Sequence, residues 1–148
     1  MSNTMNSALE ITNLIYRYNE YIDNGDLAGA AAMFKDAKLK IRDFDDLQDG
    51  TAVLPMLEKF VIIYPDGTPK TKHIVTNPII EIDEVGGTAN TRSQYTVFQA
   101  TEHVPMQVIA AGGYHDSFKR VDGKWCFSYR NYTLFNMVGH ISGHLKNL

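Results

Sequence analysis

The sequence has 148 residues, 44% hydrophobic and 21% charged, with a net charge of −3. That is an ordinary globular composition with enough apolar material for one core, read here as a single domain over residues 1–148. Without a Lys/Arg run, a long apolar stretch or a second cysteine, the chain offers nothing expected of a nucleic-acid binder, a membrane span or a disulfide scaffold.

Residues Met1 to Asn6 are polar and lack the pattern of a secretion signal, so they are expected to fray. With Cys126 as the lone cysteine, this points to the cytoplasm. From Ala8 to Asn24, the residues Ala8, Ile11, Leu14, Ile15, Tyr18, Tyr21 and Ile22 recur at helical steps and predict a first helix, capped by Ser7 and stopped at Asn24-Gly25. Asp26 is the expected cap of a second helix, Leu27 to Phe34. A strand is predicted over Ala37 to Phe44, followed by an acidic loop containing Asp43, Asp45, Asp46 and Asp49. A third helix begins near Thr51 with Pro55 in its first turn and ends at Tyr64-Pro65-Asp66-Gly67.

The pattern then changes to period two. Strands are predicted at Thr71 to Thr76, Ile79 to Asp83, Thr88 to Thr101, Gln107 to Arg120 and Lys124 to Phe135, with hairpin turns at Gly86-Gly87 and Asp122-Gly123. Helices followed by an antiparallel meander indicate the α+β class. Alternation puts Thr91, Ser93, Tyr95 and Val97 on one face of their strand, with Arg92, Gln94, Thr96 and Phe98 on the other.

Several segments carry a resemblance. Tyr18 to Asp26 resembles the end of the first helix of SnoaL-like domains, and Gly50 to Phe60 their third helix. Lys72-His73-Ile74-Val75-Thr76-Asn77-Pro78 resembles their His-bearing strand; Gly113 to Phe118, Asp122 to Trp125 and Arg130 resemble their closing hairpin. The likeness runs from about Ala8 to about Val138 and places the chain with the nuclear transport factor 2-like superfamily. In motif it is nearest to scytalone dehydratase and hexachlorocyclohexane dehydrochlorinase. It implies a cone: a curved antiparallel sheet wrapped around N-terminal helices, the cystatin-like α+β barrel, with an apolar pocket in its mouth.

Taken alone, Asp23 in Asp-Asn-Gly-Asp reads as a turn residue, and His73 on an apolar strand as a packed one. The resemblance pairs them across the pocket. A neutral imidazole can take a proton beside a leaving group, and a carboxylate on its other nitrogen orients it and stabilises the imidazolium. Arg130 matches the family's last-strand arginine and is the candidate for steadying a departing anion or an enolate, or else a structural ion pair. Tyr18, Leu57, Phe60, Tyr95 and Val97 are candidate ligand-binding residues, with ordinary core roles as their alternative. Two departures stand out: Tyr18 occupies the position of a dehydrochlorinase lysine, and Ile22 that of a dehydratase tyrosine. Neither Tyr95 nor His103 can be put in register with the dehydratase's second pocket histidine.

The reading implied is a cofactor-independent lyase of the dehydratase kind, acting on a small apolar cyclic or polyketide-like molecule. A non-catalytic ligand-binding or assembly subunit, like the dioxygenase small subunit, and a ketosteroid-isomerase-like isomerase or cyclase remain alternatives. The resemblance also implies a homodimer or homotrimer. No metal site is expected: His140 and His144 are four residues apart but lack a third ligand, and Gly139 and Gly143 weaken a helix there. His115 and Asp116, as strand neighbours, point to opposite faces and cannot form an inward pair.

Overall fold

The computed structural model describes residues 3–146. Helix α1 runs over Asn3–Asp23. Its inner face is Ile11, Ile15, Tyr18 and Ile22, each at most 4% exposed and spaced at steps of three and four. The helix starts earlier than the sequence indicates. Ser7 is not its cap but a buried residue within it, whose hydroxyl accepts from Trp125 Nε1 (3.0 Å) and donates to Glu84 (3.1 Å). Of the polar start expected to fray, residues 3–6 are therefore helical, while residues 1 and 2 lie outside the described residues.

The far end of α1 positions Asp23. The Gly25 N–H bonds to the Ile22 carbonyl and the Asp26 N–H to the Tyr21 carbonyl, with Gly25 at φ 77°: a Schellman stop with glycine in the left-handed position. Asp26 then caps helix α2, Leu27–Ala32, by accepting from the Gly29 N–H. This helix is shorter than expected, ending in turns before Phe34. A Cβ on Gly25 would lie 1.8 Å from the Gly67 carbonyl oxygen, so the helix end sits directly against the turn that closes the next segment. Gly25→Ala is expected to destabilise the fold by roughly 1–3 kcal/mol, from left-handed strain and this contact. Urea denaturation checks it; an unchanged midpoint would mean the turn relaxes freely.

Strand β1 is only Lys38–Lys40 rather than Ala37 to Phe44, and pairs antiparallel with β2, Gln48–Asp49. A 3-10 turn at Gly50–Ala52 leads into α3, Val53–Phe60, whose Val53 and Leu57 are buried. The sheet continues with β3 (Thr71–Asp83), β4 (Thr88–Gln99), β5 (Gln107–Val121), β6 (Lys124–Asn131) and β7 (Met137–Val138). Its order is β2-β1-β6-β5-β4-β3, with β7 on β5. The meander is antiparallel as expected, but β1 runs parallel to β6, so the sheet is mixed.

The two strands predicted before Asp83 are one. Asn77 takes a left-handed φ of 54°, and the register shifts between Thr76 and Ile79, so a bulge rather than a loop absorbs the Asn-Pro step. Further bulges at Val97/Phe98 and Ser117/Phe118 add bend and twist. The turn Asp122-Gly123 has both residues left-handed, at φ 51° and 79°, matching a type I′ hairpin. The result is an unclosed, curled sheet around α1, the α+β cone expected. Its core centres on Ile11, Ile15, Phe34, Leu39, Val53, Ile109 and Phe127, each 0% exposed.

Strand β6 ends at Asn131, short of Phe135, where the Asn131 side chain accepts from the Thr133 N–H and hydroxyl. After β7 the chain crosses to the α3 side. The Ile62 N–H bonds to the His144 carbonyl, the Lys146 N–H to the Phe60 carbonyl, and Val61 bridges Leu145. Among the described residues no helix is long and apolar enough to cross a membrane.

Candidate active site

α1 delivers Asp23 and β3 delivers His73 to the same corner of the cone. Asp23 Oδ1 lies 2.6 Å from His73 Nδ1 and accepts from the Thr71 hydroxyl at 2.8 Å. Its Oδ2 accepts from the His73 backbone N–H at 2.8 Å. The carboxylate thus faces three donors. Burial alone would raise its pKa, but the bonds and charge from His73, with Thr71, hold it below the ordinary carboxylate value. Both side chains are largely enclosed, at 9% and 13% exposed for His73 and Asp23. With Nδ1 committed to the carboxylate, Nε2 is the ring nitrogen left for a ligand.

His73 lines a cavity of about 530 Å³ between α1, α3, the inner sheet face and the C-terminal segment. Tyr18, Leu57, Phe60, Tyr95 and Val97 all line the same cavity. The alternation expected for their strand is the one observed: Thr91, Ser93, Tyr95 and Val97 are buried, with Val97 directly opposite His73. Asp23 stands behind the His73 ring rather than in the lining. Among the described residues no Asp or Glu lines this cavity; the charged side chains that do are Arg42 and Lys59, and the rest is mainly apolar and aromatic. Its volume lies within the ordinary range of small-molecule pockets.

Arg130 is not in the lining. It is 0% exposed, one layer back, with Nε 2.7 Å from Asp116 Oδ1 and Nη2 3.0 Å from Asp116 Oδ2. The guanidinium carbon lies 3.8 Å from the centre of the Tyr114 ring and 4.5 Å from that of Tyr18. Of the two roles expected of Arg130, the structure shows the ion pair, and the guanidinium does not line the chamber. Its strand register sets it directly across from Asp116, which accepts from Nε and Nη2, while Nη1 is buried without a hydrogen-bond partner among the described residues. Burial opposes its charge, but Asp116 more than compensates and keeps it a permanent cation. The wall in front of it is phenolic: the Tyr132 hydroxyl meets that of Tyr18 at 3.0 Å, the Tyr114 hydroxyl donates to Asn19, and Tyr95 stacks on Tyr114. Burial pushes the pKa values of Tyr18, Tyr95, Tyr114 and Tyr132 up, so all four remain neutral donors.

Among the cavity residues that the sequence did not single out as site residues is His144. His144 is 5% exposed and lines the chamber, its ring centre 5.7 Å from that of His73. His140 is exposed and His144 buried, and the segment is a turn, not a helix. Among the described residues no cluster of three or more His, Cys, Asp or Glu side chains is placed for one. No periodic signal marks His144. His103 is exposed in the β4–β5 loop, and His115 is exposed on the outer sheet face while Asp116 points inward.

Burial, then the neighbouring His73, pushes the His144 pKa from 6.5 down to about 4. A base depressed on folding is protonated first in the unfolded chain, so stability is full above about 6.5 and is lost as pH falls towards about 4. The shift corresponds to roughly 3 kcal/mol. Thermal midpoints across this window should fall with acidification, and His144→Phe should flatten that slope. A variant as acid-sensitive as the parent would assign the effect elsewhere.

Comparison with known proteins agrees with this fold. The model of a family described as a SnoaL-like domain matches residues 3–131. No curated protein matches the sequence. Among solved structures, a protein of unknown function from Mycobacterium tuberculosis is 24% identical, covering 86% of this chain and 71% of that one, with TM-score 0.68. A provisionally assigned scytalone dehydratase from Novosphingobium aromaticivorans is 22% identical over 86% of this chain and 83% of its own, TM-score 0.68. The beta subunit of a provisionally assigned aromatic-ring-hydroxylating dioxygenase from the same organism is 16% identical over 92% and 94%, TM-score 0.69. At these identities the likeness speaks to fold.

Proposed function

The chain belongs to the SnoaL-like domain family, and on that premise we propose that it is a cofactor-independent lyase, dehydratase-like, acting on a small apolar cyclic or polyketide-like hydroxyketone. The observation that carries this is the 2.6 Å contact of Asp23 with His73 Nδ1, with the ring opening onto an apolar chamber. In the reaction, His73 Nε2 takes a proton from the carbon beside the substrate carbonyl. The electron pair moves onto the carbonyl oxygen as an enolate, while Asp23 stabilises the imidazolium. The enolate then expels the β-hydroxyl, whose oxygen takes the proton back from Nε2 and leaves as water. The products are an enone and water, with the imidazole restored. Positioned general-base catalysis of this kind contributes roughly 10²–10⁴-fold in rate.

The experiment is incubation of the protein with fused-ring β-hydroxyketones, following enone absorbance and loss of one water by mass spectrometry. Turnover above the uncatalysed rate is expected, and it should be blocked by Leu57→Trp, which fills the chamber. If no hydroxyketone is dehydrated faster than in buffer, the lyase reading fails.

A second reading follows the likeness in fold to the dioxygenase beta subunit: a non-catalytic ligand-binding or assembly subunit. It predicts ligand affinity that His73→Ala leaves unchanged, and no product.

A further inference from the structure

The segment after β7 is held on both sides. Tyr64 Oη and Gln99 Nε2 both donate to the Gly143 carbonyl, at 2.5 and 2.9 Å, and the bonds from Ile62 and Lys146 pin its other edge to the end of α3. Four hydrogen bonds are a substantial fixing of so short a stretch, and they set the His144 ring into the chamber beside Leu145. It lies beyond the residues that the family model matches, which end at 131.

If the segment served only to close the cone, an apolar side chain would do at this position, as Leu145 does beside it. An imidazole does not suit that task. Its Nδ1 is buried without a hydrogen-bond partner among the described residues, an arrangement that native interiors rarely tolerate without a ligand, water or functional reason. The ring is edge-on to His73, at 68° between planes, so the two imidazoles face one space from different walls.

We propose that His144 is a second ligand-facing group of the chamber, a neutral imidazole that donates a hydrogen bond to the carbonyl oxygen of the molecule held beside His73. The inference rests on the reading of His73 as the base, and adds to it a donor for the enolate oxygen. Its neutrality at physiological pH follows from the burial already described, and a neutral imidazole still carries one N–H. It also narrows the ligand class to cyclic ketones rather than hydrocarbons.

The test is binding rather than turnover, so that it stands apart from the lyase assay. The probes are 1-tetralone and tetralin, alike in shape and differing in the carbonyl. Isothermal titration calorimetry on the full chain should show His144→Phe weakening 1-tetralone by about tenfold while tetralin is unaffected, the cost of one hydrogen bond of about 1.4 kcal/mol. His144→Gln, which keeps an N–H, should recover part of the loss. In the unaltered protein, 1-tetralone but not tetralin should shift the His144 side-chain ¹⁵N resonances, a readout that needs no variant to fold. Equal weakening of both probes, no weakening of 1-tetralone, absence of binding by the parent, or unmoved His144 resonances would each overturn the proposal. A chain that shows this preference yet dehydrates nothing would lose the lyase reading and keep the carbonyl donor.

Discussion

His73→Ala is expected to lower kcat on a fused-ring hydroxyketone by roughly 10²–10⁴-fold, with little change in KM. The ring removed is one of many side chains that line the chamber, so the ligand's apolar contacts largely persist while the base is gone. Asp23→Asn should cost a comparable factor for a different reason. An amide at that position can donate its N–H to Nδ1, which forces the ring proton onto Nε2 and leaves no lone pair to accept from the substrate. The two effects should not add, because both variants remove the same basic nitrogen. Steady-state kinetics on the two single variants and the double variant decides this. Variants that turn over like the parent would take the pair out of the mechanism, and unchanged ligand affinity with no product from parent or variants would favour the binding reading.

Asp116→Ala is expected to destabilise the fold by roughly 3–5 kcal/mol, because it leaves the Arg130 charge buried and unpaired. For a chain of this size that is a loss of about 10 °C or more in Tm. The guanidinium cannot escape to water: it is enclosed by Tyr18, Phe34, Tyr114, Phe127 and Tyr132. Replacing both partners together, as Asp116→Leu with Arg130→Met, should recover most of the stability, since a buried pair is often matched by apolar residues of similar volume. Calorimetric unfolding of the three variants supplies the comparison. If the double variant is as unstable as the single one, the pair is contributing through its shape and ring contacts rather than its charge. The charge itself sits directly behind the phenol wall of the chamber. A double variant that folds but turns over more slowly would show that this field reaches the ligand.

The parts legible in advance were those written in local periodicity. The face of Ile11, Ile15, Tyr18 and Ile22 repeats at helical steps, and Thr91 to Val97 alternate at strand steps, so each element's inner side follows from neighbours in the chain. Gly25 marked its turn because few residues but glycine adopt a φ of 77° readily. Where a local signal was ambiguous, the reading went astray. Asn77-Pro78 looks like a break, yet hydrogen bonding to β4 on both sides of it carries the strand through. Ser7 looks like a cap, yet its hydroxyl is taken by Trp125 and Glu84, far off in sequence.

Amino-acid order by itself determined the α+β class, the helical and strand faces, and a short list of residues with the chemistry to act. Only the folded chain decided which of them meet. Asp23 and His73 touch because a helix end and a strand start are packed together, Arg130 is claimed by Asp116 because strand register sets them opposite, and His144 enters the chamber because a non-repeating terminal segment is tied across its side. Periodicity reports a residue's orientation within its own element. Contacts between elements depend on packing, bulges and register, which are properties of the whole chain acting at once.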